Sequence, residues 1–450
     1  MLAPITDRET CMLPGITTSE IYASLYGDAE VAACLDDATQ VRAMIRVEAA
    51  LARAEGAVGV VPDEAAARLA EALDGIGIAP GDLAEGAAQA GVVVPALVAA
   101  LRRGLPDDLA HWVHWGATSQ DIVDTAMVLC LRDAMDAIAA RLVRVIDGLQ
   151  RLSNAQAVQV MAGRTRGQVA TPVTFGLKAA RWAQPLLGAE AGLDALARAL
   201  FRIQFGGASG AGTAIAPHGP AVGAAMAREL GLHDAPPWHT DRSPYLALAA
   251  WAQGVAAGLS KCAGDVILLV RSEIAEVTAG AGGGSSTMPQ KANPVGAEAI
   301  RALAVLCGQA AQGLAGFAAH AEERDGTAWP LDWVYLPQLV VSLGAALRHA
   351  EALVTSLDPR PDRMAATLAA HPGVMAEAAS FALARHMPRA EAQARVKAAL
   401  AGETPMAQAF ADIDEDWAAV LDPASVIPAC RVEATRVFAT RQRWSGSWPR

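Results

Sequence analysis

The sequence predicts an all-α protein of three helical domains organised around a central bundle of long helices. Three observations carry this. Ser243-Pro244 opens an uninterrupted helical pattern to about residue 279, some 36 residues or about 54 Å at 1.5 Å per residue. Runs with the two-residue alternation of strands are nearly absent. The 450 residues are 53% hydrophobic but only 5% aromatic, so the apolar content is mostly alanine, leucine and valine, and small side chains let helices approach closely.

Residues 1–110 read as a small helical domain. Short helical patterns over 20–105 alternate with breakers such as Val61-Pro62-Asp63 and Ala79-Pro80-Gly81-Asp82, whose aspartates suit N-cap positions. Residues 111–358 contain the long segments, expected as helices over 121–152, 172–200, 243–279, 294–322 and 331–357, an extended bundle. These segments are more apolar than one core-facing stripe requires, which predicts burial on several sides and therefore helices from other subunits. Residues 302–321 form a stretch of twenty without Asp, Glu, Lys or Arg. That length would span a bilayer, but Gln309, Gln312, His320 and three glycines make it a bundle helix instead. Beyond Pro359-Arg360-Pro361-Asp362, residues 359–450 form a third helical domain, broken at His371-Pro372-Gly373.

A formal net charge of −11 argues against nucleic acid and against an anionic membrane surface as partners. The cysteines at 11, 34, 130, 262, 307 and 430 show no C-x-x-C pairing and no histidines at metal spacing. Neither a zinc site nor a disulfide framework is expected, and reduced cytosolic thiols are the default. Asp7, Arg8 and Glu9, with no apolar core beside them, argue against a secretory signal and for the cytoplasm. The glycines over 207–212 have no preceding strand and no Gly-Lys-Ser/Thr ending, so they are a poor phosphate cradle.

Residues 282–293, Gly-Gly-Gly-Ser-Ser-Thr-Met-Pro-Gln-Lys-Ala-Asn, carry the chemistry. They place an activatable hydroxyl (Ser285), a fixed cation (Lys291) and an amide (Asn293) on one glycine-rich loop able to close over a ligand and reopen. Pro294 suits the start of a helix, so backbone N–H groups and the positive helix end join Lys291 in facing an anion. A proton on the carbon alpha to a carboxylate is very weakly acidic, and its removal leaves a dianion. A serine alkoxide and that dianion both need the cation and N–H donors this segment supplies.

Gly-Ser-Ser-x-Met-Pro-x-Lys-x-Asn-Pro resembles the signature of the fumarase/aspartase superfamily, whose members cleave C–N or C–O bonds beta to a carboxylate. Two further blocks strengthen the resemblance: His114-Trp115-Gly116-Ala117-Thr118-Ser119-Gln120-Asp121, and Gly163-Arg164-Thr165-Arg166-Gly167-Gln168 running into Thr171-Pro172-Val173-Thr174-Phe175-Gly176. Around them, and in Phe205-Gly206-Gly207-Ala208 and Trp238-His239-Thr240-Asp241-Arg242-Ser243-Pro244, the wording is most similar to the bacterial 3-carboxy-cis,cis-muconate cycloisomerase branch. The similarity runs from about residue 20 to about residue 400. The resemblance implies a cofactor-independent homotetramer with a core of twenty long helices, a small poly-carboxylate substrate, and active sites shared between three subunits. It implies Ser285 as the group that removes or returns the proton. Lys291 and Asn293 would hold the dianion, and Thr118 and Ser119 would bind a substrate carboxylate at a helix start. His114 is implied as a second proton donor or a hydrogen-bonding wall. Thr165, Gln168 and Met288 carry over as pocket residues. Arg164 more naturally locks its own loop, and Arg242 either reaches a carboxylate or pairs with Asp241.

Position 166 departs from the pattern. Superfamily members that eliminate amines or water carry histidine there, as the general acid for a poor leaving group. The cycloisomerases carry an aromatic residue there and a histidine where this chain has Val169. Arg166 cannot act as an acid, because guanidinium keeps its proton in proteins, but it can grip a carboxylate with two parallel hydrogen bonds. A structural ion pair is the alternative. Glu298, thirteen residues after Ser285, stands where eliminating members orient their histidine; it either pairs with Arg166 or lies on an exposed face with Pro294 and Arg301. Two activities follow. One is a cycloisomerase moving the substrate's own carboxylate on and off carbon, interconverting 3-carboxy-cis,cis-muconate and its lactone as in protocatechuate breakdown. The other is a lyase releasing fumarate or a related alkene from a substituted succinate, with Arg166 binding a good, nitrite-like leaving group.

Overall fold

The chain's three-dimensional structure is a computed structural model that describes residues 19–279, 283–284, 288 and 291–448. Its first long helix, α1 (Asp37–Val58), starts where Asp36 accepts a hydrogen bond from the Thr39 N–H at 2.7 Å. It stops where Gly59 takes a left-handed φ of 81°. Helix α2 (Ser119–Ala155) is the bundle's axis. Its Ile122, Val128, Leu131, Met135, Ile138, Leu142, Ile146 and Leu149 are fully buried against α1 and the helices below. Each such side chain is worth roughly 1.5–3 kcal/mol relative to exposure.

A hairpin of β1 (Val160–Thr165) and β2 (Gln168–Thr174) follows α2 and leads into α3 (Phe175–Ala191). Thr174 caps α3 by accepting from Leu177 N–H at 3.1 Å. Gly176 lies so close to the end of α2 that a Cβ there would sit 2.5 Å from the Ser153 carbonyl. Next come α4 (Ser243–Leu269), the strand β3 (Val277–Ala279), the ribbon of β4 (Gly283–Gly284) with β5 (Ala292–Asn293), α5 (Val295–Gly316) and α6 (Trp329–Ser356). Strand β6 (Leu357–Pro359) closes this region by pairing with β3. Helix α5 packs between α4 and α6, and α6 lies along α2. Arg141 of α2 binds Asp28, Glu30 and the Gly344 carbonyl, tying the first turns of the chain to the bundle.

The all-α class holds, and the differences lie at element ends. The segment expected as a helix over 172–200 begins at Phe175, because 168–174 pair as a strand, and it breaks at Gly192 before a second helix, Leu193–Leu200. The helix expected over 243–279 ends at Leu269. Ala275 takes a left-handed φ of 49°, fully buried Glu276 is bound by Arg164 at 2.8 Å, and 277–279 pair with 357–359. The helix expected over 294–322 ends at Gly316, so the uncharged stretch 302–321 is part helix, packed on two neighbours, and part loop. After Pro359, a satellite core forms around Leu383, Phe410 and Trp417. Helix α7 (Ile427–Ala439) then returns to pack on α3, and behind it Arg441 binds Glu190 at 2.8 Å and Asp147 at 2.6 Å.

One buried group in α1 gives the fold a pH dependence. Glu55 is 1% exposed and its Oε1 has no partner among the described residues. Burial, reinforced by the nearby Glu48, pushes its carboxyl from 4.5 up to about 9. The folded state therefore holds Glu55 neutral where an unfolded chain ionises it. Its contribution to stability is complete below about 4.5 and is lost progressively as pH rises toward 9. Glu55→Gln removes the titration, so calorimetry should show a larger gain in Tm at pH 8 than at pH 5; equal changes at both would contradict this.

Candidate active site

The first block is organised by a carboxylate rather than by its own hydroxyls. Asp121, in the first turn of α2, is wholly buried. It accepts from the backbone N–H groups of Thr118 (3.0 Å), Gly206 (3.0 Å) and Gly207 (2.9 Å), from Gln204 Nε2 (3.1 Å), and pairs with His239 Nε2 (2.9 Å). This fixes Thr118 and Ser119, both half-buried, at the start of a 37-residue helix. The 206–208 turn must come very close: Gly207 has φ 69°, and a Cβ there would lie 3.1 Å from the Gly116 carbonyl. Gln120 passes the network on, donating to Asp124 and to the His239 carbonyl while accepting from Arg324 Nε at 3.1 Å. Arg324 also donates to the Ala208 carbonyl, pinning that turn to α2. None of Gln120, Asp121 and Arg324 was singled out from sequence; three polar residues in the first helical turn, 119–121, were the available signal.

Arg242 is where sequence and structure part. It is 3% exposed and pairs with neither a substrate-facing surface nor Asp241. Its guanidinium donates to Asp124 (2.7 and 3.3 Å) and to Asp332 (2.7 Å), with the Trp238 and Tyr245 rings within 4.9 Å. Burial, opposed by Arg242 and reinforced by Asp124, pushes the Asp332 carboxyl up to about 6. Arg242 thus braces the floor beneath the first block. Asp241 instead lies 4.0 Å from Arg202.

His114 stands in a left-handed backbone conformation, φ 62°, with Nδ1 2.7 Å from Glu48 Oε1 of α1. Burial opposes its charge, but the hydrogen bond to Glu48 and that residue's charge outweigh it and raise the imidazole pKa.

The second block is the tip of the β1–β2 hairpin. Thr165 pairs with Gln168, leaving Arg166-Gly167 as a two-residue turn with φ 52° and 79°. Both residues must therefore adopt positive φ, which the Arg-Gly sequence flanked by Thr and Gln could have signalled. Thr165, Arg166 and Gln168 are all exposed. Arg164 locks the hairpin base as expected, with two 2.8 Å bonds to Glu276. A Cβ on Gly163 would come 2.5 Å from the Thr171 carbonyl, so only glycine fits there.

In the third block, Ser285 lies outside the described residues. Gly283 and Gly284, immediately before it, pair with Asn293 and Ala292, and the Lys291 N–H donates to the Met288 carbonyl at 2.9 Å. Met288 and Lys291 are exposed, and Asn293 is half-buried. Glu298 is exposed in the first turn of α5 and makes no ion pair with Arg166 within the chain.

Within one chain the first block does not meet the described parts of the other two. Helix α2 spans about 55 Å over its 37 residues. The first block stands at its start, and the hairpin base is held at its end, where the Phe175 and Gly176 N–H groups donate to the Gln159 and Gln156 carbonyls. Helix α6 starts beside the first block, with Trp329 Nε1 donating to Asp124 at 2.9 Å, and runs toward the hairpin end, where Arg144 of α2 binds its Glu351 at 2.6 Å. Helix α5 runs the other way, its Gly296 beside His349 and its Gly313 beside Tyr335. Lys291, Asn293 and Glu298 are thereby placed at the opposite end from Thr118.

Residues 26–309 match the family described as lyase. A 3-carboxy-cis,cis-muconate cycloisomerase of Bradyrhizobium diazoefficiens is 38% identical over 390 residues, covering 85% of this chain and 86% of the relative. A nitrosuccinate lyase of Streptomyces davaonensis is 37% identical over 85% of this chain and 84% of the relative. Among solved structures, the 3-carboxy-cis,cis-muconate lactonizing enzyme from Pseudomonas putida superposes with a TM-score of 0.86 at 32% identity, over 94% of this chain and 98% of that one.

The Asp121 arrangement is testable by stability alone. Asp121→Ala strands the buried N–H groups of Gly206 and Gly207 and the part-buried one of Thr118, at about 1–3 kcal/mol for each buried donor left unpaired. Denaturant unfolding should show a loss of about 3 kcal/mol or more, and a loss below about 1 kcal/mol would contradict the assignment.

Proposed function

The chain belongs to the lyase family of the fumarase/aspartase superfamily, and we propose that it is a cycloisomerase interconverting 3-carboxy-cis,cis-muconate and 4-carboxymuconolactone. The reading rests on the similarity to 3-carboxy-cis,cis-muconate cycloisomerases; Arg166, exposed at the hairpin tip without a partner among the described residues of its own chain, separates it from the members that eliminate amines or water. It replaces the histidine an amine- or water-eliminating member would use as an acid. A carboxylate leaves carbon without first being protonated, so cycloisomerisation needs no such acid, and guanidinium is suited to hold an additional carboxylate instead.

In the lactonising direction, a substrate carboxylate oxygen forms a bond to an alkene carbon. The alkene electron pair moves to the carbon alpha to another carboxylate, and Ser285 delivers its proton to that carbon. In reverse, the Ser285 alkoxide takes the proton and the lactone C–O bond breaks. Lys291 and Asn293 hold the carboxylate that carries the second negative charge between these events, while Thr118 and Ser119 bind a substrate carboxylate at the positive end of α2. Met288, Thr165 and Gln168 complete the pocket wall, and Glu298 takes Arg166 as its partner across subunits. No cofactor or metal enters this chemistry.

Because the first block lies far from the described parts of the other two within the chain, the reading takes the protein as a homotetramer in which three subunits contribute to each site, in the cytoplasm. Apolar, unpaired faces support it: Ala302 and Val305 on α5, and Ala250, Gly254, Ala257 and Leu268 on α4, are exposed although they lie on the bundle's central helices. A second reading, elimination from a substituted succinate, is favoured by the 37% identity to a nitrosuccinate lyase. Nitrite also leaves without a general acid. Loss of the muconate diene absorbance supports the first reading, and alkene appearance from nitrosuccinate supports the second.

Ser285→Ala should lower turnover by about 100-fold or more with an unchanged Tm; retained turnover would remove Ser285 from the mechanism. Mixing this variant with Thr118→Ala should restore part of the activity once subunits exchange, since some mixed tetramers assemble a site from intact blocks only. No recovery after verified exchange would refute the shared site. Arg166→His should weaken binding of the tricarboxylate by about 2–4 kcal/mol, the scale for removing one partner of a desolvated charge pair. The loss should shrink for a substrate lacking that carboxylate; equal losses for both would rule out the clamp.

A further inference from the structure

The loop that carries His114 is held at three points by three different helices. At its start, Arg102 of the helix Val94–Arg103 donates to the Val113 carbonyl at 3.0 Å. At its end, Asp121 of α2 accepts the Thr118 N–H. Between them, Glu48 of α1 takes His114 Nδ1 at 2.7 Å. Glu48 is 2% exposed, whereas the His114 side chain keeps 17% exposure. The imidazole is therefore anchored on its Nδ1 side, and Nε2 has no hydrogen-bond partner among the described residues. A histidine backbone at φ 62° is uncommon and strained, and it persists only where the surroundings over-determine it.

We propose that Glu48, outside all three signature blocks, is a positioning residue for the reaction. From the N-terminal helix it holds His114 as the Nδ1–H form with Nε2–H presented beside Thr118 and Ser119, where it donates a hydrogen bond to the substrate carboxylate bound at the start of α2. This deepens the proposed carbanion chemistry and rests on it. It also decides between the two roles open for His114, since a donor that stays protonated stabilises the dianion without transferring a proton to carbon.

Three charged groups face the imidazole: Glu48 from α1, Arg102 from Val94–Arg103, and Asp121 from α2. Burial and Arg102 oppose the imidazolium, and the two carboxylates favour it, with Glu48 in direct contact. Beyond Glu48 on the same helix, Glu55 is neutral through the physiological range, so it adds no second charge. Removing the Glu48 charge while keeping its shape must therefore lower the pH at which His114 loses its proton. A purely structural anchor would instead alter stability and leave that pH unchanged.

The test compares wild type, Glu48→Gln and Glu48→Asp as assembled enzymes. With 3-carboxymuconate as substrate, Glu48→Gln should lower kcat by about 10- to 100-fold with a smaller change in KM. The alkaline limb of its kcat profile should move down by about one pH unit or more, because activity needs the protonated imidazole. Glu48→Asp, which keeps the charge, should recover part of both. A Glu48→Gln profile that superimposes on wild type while Tm falls would overturn the proposal. If wild type itself does not turn over the muconate, the functional reading has failed, and NMR titration of His114, assigned with His114→Asn, still decides the positioning claim. A lowered titration midpoint in Glu48→Gln supports it, and an unchanged midpoint and tautomer overturn it.

Discussion

The buried carboxylate of Asp121 is the constraint on which the rest of this end of the molecule depends. A helix start leaves backbone N–H groups without partners, and here one side chain takes the Thr118 N–H and also reaches across to the Gly206 and Gly207 N–H groups. Two loops from distant parts of the chain are thereby set against one helix end. One turn along α2, Asp124 repeats the device with Arg242 and Trp329, drawing in α4 and α6. A charged group removed from water needs close to its full set of partners, and this network supplies them. That explains why the surface above it can present Thr118, Ser119 and His114 in fixed positions.

The bundle's length has the second large consequence. Helices of 27 to 37 residues set the first polar block tens of ångströms from the described parts of the other two within one chain. The exposed apolar faces of α4 and α5 and the exposed hairpin tip are the features that the proposed association would use, covering the faces and bringing opposite ends of different bundles together. Of the four non-glycine residues at positive φ among the described residues, His114 and Arg166 lie in these polar blocks, while Ala275 and Glu322 lie outside them.

Much of this was legible in the sequence, for definite reasons. Long apolar runs with small residues could only be bundle helices, and the signature blocks marked the polar ends. Boundaries were less legible where tertiary pairing overrides local preference. Residues 270–279 read as helix but are diverted by the Arg164–Glu276 pair and by strand pairing with 357–359, contacts that local pattern does not reveal. The hairpin at 160–174 was missed because an Arg-Gly turn among helices carries little weight. Arg242 was misplaced for a related reason. Its partners, Asp124 and Asp332, lie 118 and 90 residues away, while the neighbouring Asp241 offered a nearer and wrong alternative. Glu48, 66 residues from His114, was invisible for the same reason.

The proposed activity requires the three polar blocks to act on one substrate although the described residues of a single chain leave the first apart from the other two. The most direct measurement is an experimental structure of the assembled Ser285→Ala protein with 3-carboxymuconate bound. The account predicts one ligand contacted by Thr118 and His114 of one subunit, Arg166 of a second and Lys291 of a third, each within hydrogen-bonding distance. A ligand held by residues of a single chain, or a protein that remains monomeric while binding and converting it, would contradict the account.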